Sequence, residues 1–535
     1  MPILEDAIEE LVFELEDMFD LQRIAWVQFS PDPACAIYTD DFTGDTFFDG
    51  APWEADVALP HVATFKRGAA TPSSKADLPA RARAWLAGID FFDAVTYKFE
   101  KAEYGKTRDE ATGVAKATIA ARRNGLAAEI FERSEAVFRK VRGQWRVASL
   151  KRLSGTKKEA KQPIFVDATA AIGADPGPEI DCHSCLHGTP FDVCGGLAAI
   201  DYDDDGDHDL FVTRIGAPVL LRNDGGRFTD VTEKAGLSRK GAYAGALALD
   251  ADNDGRLDLL TTSVCPADHA CKGCAVMLWR NKGDGTFEDV TERAFGLRHG
   301  QARSACAADV DGDGDLDVFV AMYGTPEKVG SLTTPVHTRS YVNARDGMPD
   351  LLFINRGDGT FEERGKEAGV ADTGWGLACL FFDHGGDGRP DLYLVNDFGE
   401  HVFYRNRGGG RFEEATAAAF GGRDVGFGMG VCMDDYDLDG DTDLYVSNMY
   451  SSAGNRVLAR SPEVAEPLRK RLLKMAQGNS LMRNDGASFV ETAVAAGCAN
   501  AGWAWGSVFL DYDEDGWPDL YVANGYTSGR NRKDL

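Results

Sequence analysis

Asp201-Tyr202-Asp203-Asp204-Asp205-Gly206-Asp207-His208-Asp209 runs directly into Leu210-Phe211-Val212-Thr213, and this pairing of an acidic loop with a short apolar run recurs along the chain. Counting the first aspartate as position 1, positions 1, 3, 5 and 9 are Asp201, Asp203, Asp205 and Asp209 in the first copy. They are Asp250, Asp252, Asp254 and Asp258 in the second, and Asp309, Asp311, Asp313 and Asp317 in the third. Two later copies supply Asp435, Asp437, Asp439 and Asp443, then Asp511, Asp513, Asp515 and Asp519. A degraded copy between them keeps Asp383, Asp387 and Asp391 but has Gly385 at position 3, so a weak or empty site is expected there. Carboxylates at this spacing converge only if the loop curls tightly, and glycine at position 6 permits the curl. Dense, hard oxygen ligands suit Ca²⁺, at about five sites. Asx hydrogen bonds alone would explain one acidic turn; they do not explain six in register.

Around each loop the pattern is that of short strands. In the second unit Tyr243–Leu249 precedes the loop, Leu257–Thr262 follows it, and Met277–Asn281 and Thr286–Thr291 come next. The third strand recurs at Leu220-Leu221-Arg222-Asn223, Phe403-Tyr404-Arg405-Asn406 and Leu481-Met482-Arg483-Asn484, and the fourth around Phe228, Phe361, Phe412 and Phe489. Four short strands per repeat indicate propeller blades, six by count, with a seventh left open. The last unit ends before a clear fourth strand, while Ile164-Phe165-Val166-Asp167 precedes the first loop as an unattached one. The N-terminal strand is therefore expected to complete the last blade and remove its open edge.

Residues 1–155 read differently. An apolar-periodic helix over Leu4–Phe19 and another at Leu78–Trp85 precede long alternating segments at Val95–Phe99, Val114–Ile119, Ser134–Val141 and Gln144–Leu150. This is an α+β domain. Lys-rich residues after Lys151 predict a linker, set at 156–163, leaving 164–535 to the propeller.

The whole chain has 535 residues, 44% of them hydrophobic, with 60 glycines, which fits a turn-rich globular protein. Its net charge of -29 argues against nucleic acid or an anionic membrane as partner. No apolar stretch is long enough for a membrane span. The opening residues Met1-Pro2-Ile3-Leu4-Glu5-Asp6 have the wrong chemistry for a signal peptide.

With those residues in view, the repeat resembles the FG-GAP/VCBS propeller repeats of integrin α-subunits and of cartilage-acidic-protein-like (UnbV/ASPIC-associated) proteins. The resemblance is carried by the Asp loops, by Phe228-Thr229-Asp230-Val231-Thr232-Glu233-Lys234-Ala235-Gly236-Leu237 and by Asp511–Gly525. It implies a calcium-stabilised propeller, usually exported, with a role in adhesion or recognition. The head is similar to NTF2-like (SnoaL-type) cones, on Gly143-Gln144-Trp145-Arg146-Val147. Such cones hold small molecules, carry an acid/base pair or mediate association, including dimerisation. No Asp/His pairing stands out in the head, which favours a structural role.

Two loops stand apart: Cys182, His183, Cys185 and His187 with Cys194, and Cys265, His269, Cys271 and Cys274. The topology of a propeller brings both to the face opposite the calcium loops. They read as disulfides, as a Zn, Cu or Fe site, or as free thiols. With eleven cysteines at least one is unpaired within the chain. Cys306, Cys379 and Cys432, just before Asp loops, read as small packing residues near the axis. Insertions at Gly324–Gly347 and Ser451–Gly478 decorate the same face, the second with a short basic helix that either receives an acidic partner or packs as a lid.

The expected function is binding or recognition of a protein or glycan partner. The alternative is a metalloenzyme built on the Cys/His loops. The compartment stays open: calcium loops and cysteines favour an extracellular or periplasmic location, the N-terminus does not.

Overall fold

The computed structural model describes residues 2–46, 48, 51–58, 62–69, 72–123, 126–161, 168–175, 195–264, 275–325, 340, 342–422, 424–451, 454, 458, 464–486 and 488–524. These divide into two compact units, Met1–Asp167 and Ala168–Leu535.

In the first unit a helix spans Pro2–Val27, longer at its C-terminal end than the apolar period alone indicated. Leu11, Leu15, Met18, Phe19, Gln22 and Trp26 share one face at i, i+3, i+4 and i+7 spacing, and all are buried. They pack on an eight-stranded sheet whose main path runs Trp53–Ala58, Val62–Arg67, Gln144–Ala160, Leu126–Val141, Glu110–Arg123, Phe91–Tyr104. Phe19 stacks on Tyr97 at 4.6 Å and meets Phe138 edge-on at 6.3 Å, closing the cone from inside. This is the α+β domain that the sequence pattern indicates. One expectation is corrected here. The strand Gln144–Ala160 carries residues 156–160 into the sheet, where Thr156 to Ala160 pair with Val62 to Lys66, so these residues are not linker. Alternating side chains with partners on both edges make a strand of a stretch whose lysine content suggested a tether.

The second unit is the propeller. Its described sheets follow one another in sequence, each running from inner to outer strand. Blade 1 is Leu197–Ile200, Asp209–Val212, Val219–Asn223, Phe228–Asp230. Blade 2 is Gly241–Leu249, Asp258–Ser263, Val276–Asn281, Phe287–Asp289, joined at its inner edge by Ile215–Gly216. Blade 3 is Ala302–Ala308, Asp317–Met322, Leu351–Asn355, Phe361–Glu363, and blade 4 is Gly376–Phe382, Asp391–Asn396, Val402–Asn406, Phe412–Glu414. Blade 5 is Gly428–Asp434, Asp443–Asn448, Ser480–Asn484, Phe489–Glu491, and blade 6 shows Ala504–Leu510 and Asp519–Asn524.

Apolar clusters fill the gaps between consecutive blades, such as Tyr243, Leu259 and Trp279 against Phe211 and Leu220. Where inner strands crowd near the axis the side chains are small: Cys379 Sγ lies 3.8 Å from Ser304 Oγ and Cys432 Sγ 3.4 Å from Ser507 Oγ. These cysteines are free thiols used for packing.

The turn after each fourth strand leans on the fourth strand of the next blade. Phe287 N donates to Ala235 O at 2.9 Å, Phe295 meets Phe361 at 4.7 Å, and Phe420 stacks on Phe489 at 4.6 Å. The helix Thr169–Ile172 repeats this ahead of blade 1: a Cβ on Gly173 would come within 2.5 Å of the Phe228 carbonyl oxygen. Residues 168–173 thus stand to blade 1 as the end of one blade stands to the next. The closing strand expected at Ile164-Phe165 lies outside the described residues.

Candidate metal centres

Each acidic loop joins the first and second strands of its blade, and the ninth-position aspartate is the first residue of the second strand. The backbone curls through two left-handed residues. Position 6 is glycine with φ between +78° and +97° (Gly206, Gly255, Gly314, Gly388, Gly440, Gly516). Position 4 is also left-handed, at Asp204, Asn253, Leu438 and Glu514, where a side chain makes that conformation costly by about 1 kcal/mol or more.

The curl turns backbone N–H groups inward onto the first aspartate. Asp205 N and Gly206 N donate to the two oxygens of Asp201 at 3.1 and 3.0 Å. Equivalent pairs serve Asp250, Asp309, Asp383, Asp435 and Asp511. The ninth-position carboxylate accepts from the N–H at position 2, as Tyr202 N to Asp209 at 3.1 Å, and from the end of the third strand, as Asn223 N to Asp209 at 2.7 Å.

Five loops gather three carboxylates whose candidate ligand oxygens lie within 4.8 Å of one another. The sets are Asp201, Asp203, Asp209; Asp309, Asp311, Asp317; Asp435, Asp437, Asp443; Asp511, Asp513, Asp519; and, in the second loop, Asp250, Asp252, Asp254. In all five loops the fifth-position aspartate also braces the turn: Asp205, Asp254, Asp313, Asp439 and Asp515 each accept the N–H two residues on, at 2.9–3.1 Å. In the second loop Asp258 is buried at the start of its strand, and Arg280 Nε lies 2.7 Å from Asp252 Oδ2.

The degraded loop does not join this set. Gly385 leaves position 3 without a carboxylate, Asp383 caps the loop, Asp387 pairs with Arg389, and Asp391 accepts Asn406 N at 2.7 Å. His384 is buried there, its Nδ1 2.9 Å from Arg405 Nη2, and burial lowers its pKa.

Packing carboxylates together away from water makes their charge expensive. Burial, with neighbouring carboxylates adding to it, pushes Asp258 and Asp443 up to about 6 and Asp317 up to about 7. Burial likewise raises Asp203, Asp311 and Asp437. One oxygen of each third-position residue Asp203, Asp252, Asp311 and Asp437 is buried with no hydrogen-bond partner. An oxygen aimed inward beside two other carboxylates, with no donor to meet it, fits a cation ligand. The residues present therefore fit a hard divalent ion.

Three features lay beyond the sequence pattern. One is the asparagine ending each third strand, whose N–H holds the ninth-position carboxylate. Another sits inside the head, where buried Glu132 lies 3.5 Å from Arg67 Nε and 3.3 Å from Arg152 Nε. It borders a cavity of about 30 Å³ with Gln22, Tyr38 and Tyr97, which has room for water. The third is how the expected basic helix, Glu466–Ala476, is held, with its charges largely engaged. Arg471 Nη1 reaches buried Glu400 at 2.8 Å, Arg469 pairs with Glu466, and Lys474 Nζ donates to Ser480 at 3.2 Å. The helix thus packs as a lid, with Met475 and Ala476 buried. The Cys/His positions Cys182, His183, Cys185, His187, Cys194, Cys265, His269, Cys271 and Cys274 lie outside the described residues.

Residues 201–261, 269–320 and 383–446 match the FG-GAP-like repeat family. Human cartilage acidic protein 1 is 24% identical over 430 residues, covering 68% of this chain and 60% of that protein. The chain therefore spans about 60% of the length of this curated relative. Among solved structures, an Agrocybe aegerita lectin recognising non-reducing terminal N-acetylglucosamine is 15% identical, with a TM-score of 0.32 over 86% of this chain and 92% of its own. A putative scytalone dehydratase from Novosphingobium aromaticivorans is 12% identical, with a TM-score of 0.21 over 28% of this chain and 87% of its own.

Proposed function

We propose that this protein, built on FG-GAP-like repeats, is a calcium-stabilised propeller that binds a protein or glycan partner. The observation that carries the calcium reading is the buried, unpartnered oxygen at the third position of four loops, each beside two further carboxylates. Asp201, Asp203 and Asp209 would hold one ion, and their counterparts in the other four clusters would hold the rest. Bound there, calcium supplies positive charge that offsets the clustered carboxylates and pins the connection between the first two strands.

The opposite face is then free to recognise a partner. Two of its features support that role. The insertion helix Glu466–Ala476 is latched to blade 4 through Arg471 and Glu400. Arg345 bridges Asp372 and Glu400, holding the approach to blade 4 in one arrangement. A rigid, pre-ordered surface loses little entropy on binding.

The test is elemental analysis of the full chain purified without chelators or a metal-affinity tag. About five equivalents of calcium, matching the five clusters, are expected. Protein that carries no calcium and takes none up on dialysis would end this reading.

A further inference from the structure

Every described third strand ends in an asparagine: Asn223, Asn281, Asn355, Asn406 or Asn484. Its backbone N–H donates to the ninth-position carboxylate of its own blade at 2.7–2.8 Å, to Asp209, Asp258, Asp317, Asp391 and Asp443 in turn. In three blades the side chain reaches further. Asn281 Nδ2 donates to Tyr202 O at 2.8 Å, Asn355 Nδ2 to Ala251 O at 3.0 Å, and Asn406 Nδ2 to Val310 O at 2.9 Å. Each acceptor is position 2 of the preceding blade's loop, between its first and third aspartates. A second tie joins the same neighbours: Asn253 of the second loop donates to Asp315 of the third.

The chain of bonds has ends. Among the described residues, the side-chain amides of Asn223 and Asn484 donate only to carbonyls of their own blades, His208 at 3.0 Å and Thr442 at 3.2 Å. The loop that precedes Asn484 is the degraded one, with buried His384 at position 2.

Resting on the calcium reading above, we propose that Asn281 and Asn355 couple the loops at Asp201, Asp250 and Asp309 into one cooperatively loading unit, to which the Asp435 loop does not belong. An ion that draws Asp201 and Asp203 together fixes the peptide between them, and with it the Tyr202 carbonyl. That carbonyl orients the Asn281 side chain, and the same residue's N–H holds Asp258 in the next blade; Asp258 in turn accepts the Ala251 N–H at 3.2 Å, on the peptide between the candidate ligands Asp250 and Asp252. Ordering one loop therefore removes part of the ordering cost of the next. The effect is reciprocal, because a coupling free energy has no direction. Asn281 and Asn355 are positioning residues: both are buried, and each acts through its backbone N–H on the ninth-position carboxylate, Asp258 or Asp317.

The experiment is calorimetric calcium titration of the full, calcium-stripped chain beside three variants. Wild-type protein is expected to show a cooperative class of three sites. Asp203→Ala, which removes a ligand from the first loop, should weaken the next two loops by about fivefold or more. Asp437→Ala should delete one site and leave the other affinities unchanged. Asn281→Ala should reproduce the loss of cooperativity without removing any ligand. If Asp203→Ala merely deletes one site, as Asp437→Ala does, the coupling is overturned, and this holds even if Asn281→Ala fails to fold. Independent calcium sites in the wild type would sink the coupling alone; no calcium uptake at all would sink the calcium reading with it.

Discussion

In the head, Leu11, Phe19, Trp26, Phe99, Phe138 and Trp145 belong to one continuous buried cluster. In the propeller the buried side chains divide into separate clusters, most of them filled from two neighbouring blades. The two regions also treat charge differently. The head balances its buried carboxylate internally, Glu132 lying beside Arg67 and Arg152. The propeller gathers carboxylates into loops where, in the first loop, backbone N–H groups hold Asp201 and Asp209. A single large core needs nothing from solution, whereas a set of small cores with clustered like charges would gain from an ion at each of the five carboxylate clusters.

The sharpest way to break this comparison is chelation. EGTA should lower the melting temperature of the propeller by many degrees and leave the head transition in place. Each site lost contributes about 2.7 kcal/mol at free calcium a hundredfold above its dissociation constant. Differential scanning calorimetry with and without EGTA checks this, and unmoved propeller melting would contradict it.

Phe138→Ala should do the reverse. Phe138 is fully buried, and its truncation leaves a cavity costing about 3–5 kcal/mol. Chemical denaturation should show the head destabilised and calcium stoichiometry unchanged.

A third test uses pH within the propeller. Asp397 is buried and accepts a hydrogen bond from the Tyr323 hydroxyl at 2.6 Å; burial raises its carboxyl to about 7. An unfolded aspartate titrates near ~4. The folded state therefore keeps a proton that the unfolded state has lost between these values. The contribution to stability is full below about pH 4 and fades as pH rises through about 7, a loss on the order of 2–4 kcal/mol. Asp397→Asn, which retains an acceptor for Tyr323, should flatten propeller stability across that window. An unchanged pH slope would assign it to other groups.

The smallest effect separates one loop from its neighbours. Asp387→Asn in the degraded loop should leave calcium stoichiometry as it is, while Asp311→Asn lowers it. Equal losses from the two would place an ion in the fourth loop after all.

Much of this was legible in residue order. The alternation around each loop located the blades, because strands of three to nine residues, each ending in a fixed turn, leave a short-range signature. The first and third aspartates were legible for the same reason, since both lie within one curl of backbone. The fifth-position aspartates were harder to assign: spacing points them at the ion, and Asp205, Asp254 and Asp313 also cap N–H groups within the loop, though among these three only Asp254 falls in a three-carboxylate cluster. The stretch 156–160 misled because lysines on a strand look like a tether until both neighbouring strands are known.

The sequence by itself determined the repeat, the loop chemistry and the class of both domains, because each depends on residues close together in the chain. Only the tertiary structure decided what those residues meet across it. It set Asn281 of one blade against Tyr202 of the blade before, 79 residues away, and Arg471 against Glu400. It also buried Glu132 between two arginines from other strands. Hydrogen bonds and ion pairs of this kind form between residues whose separation in sequence carries no period, so no pattern along the chain announces them.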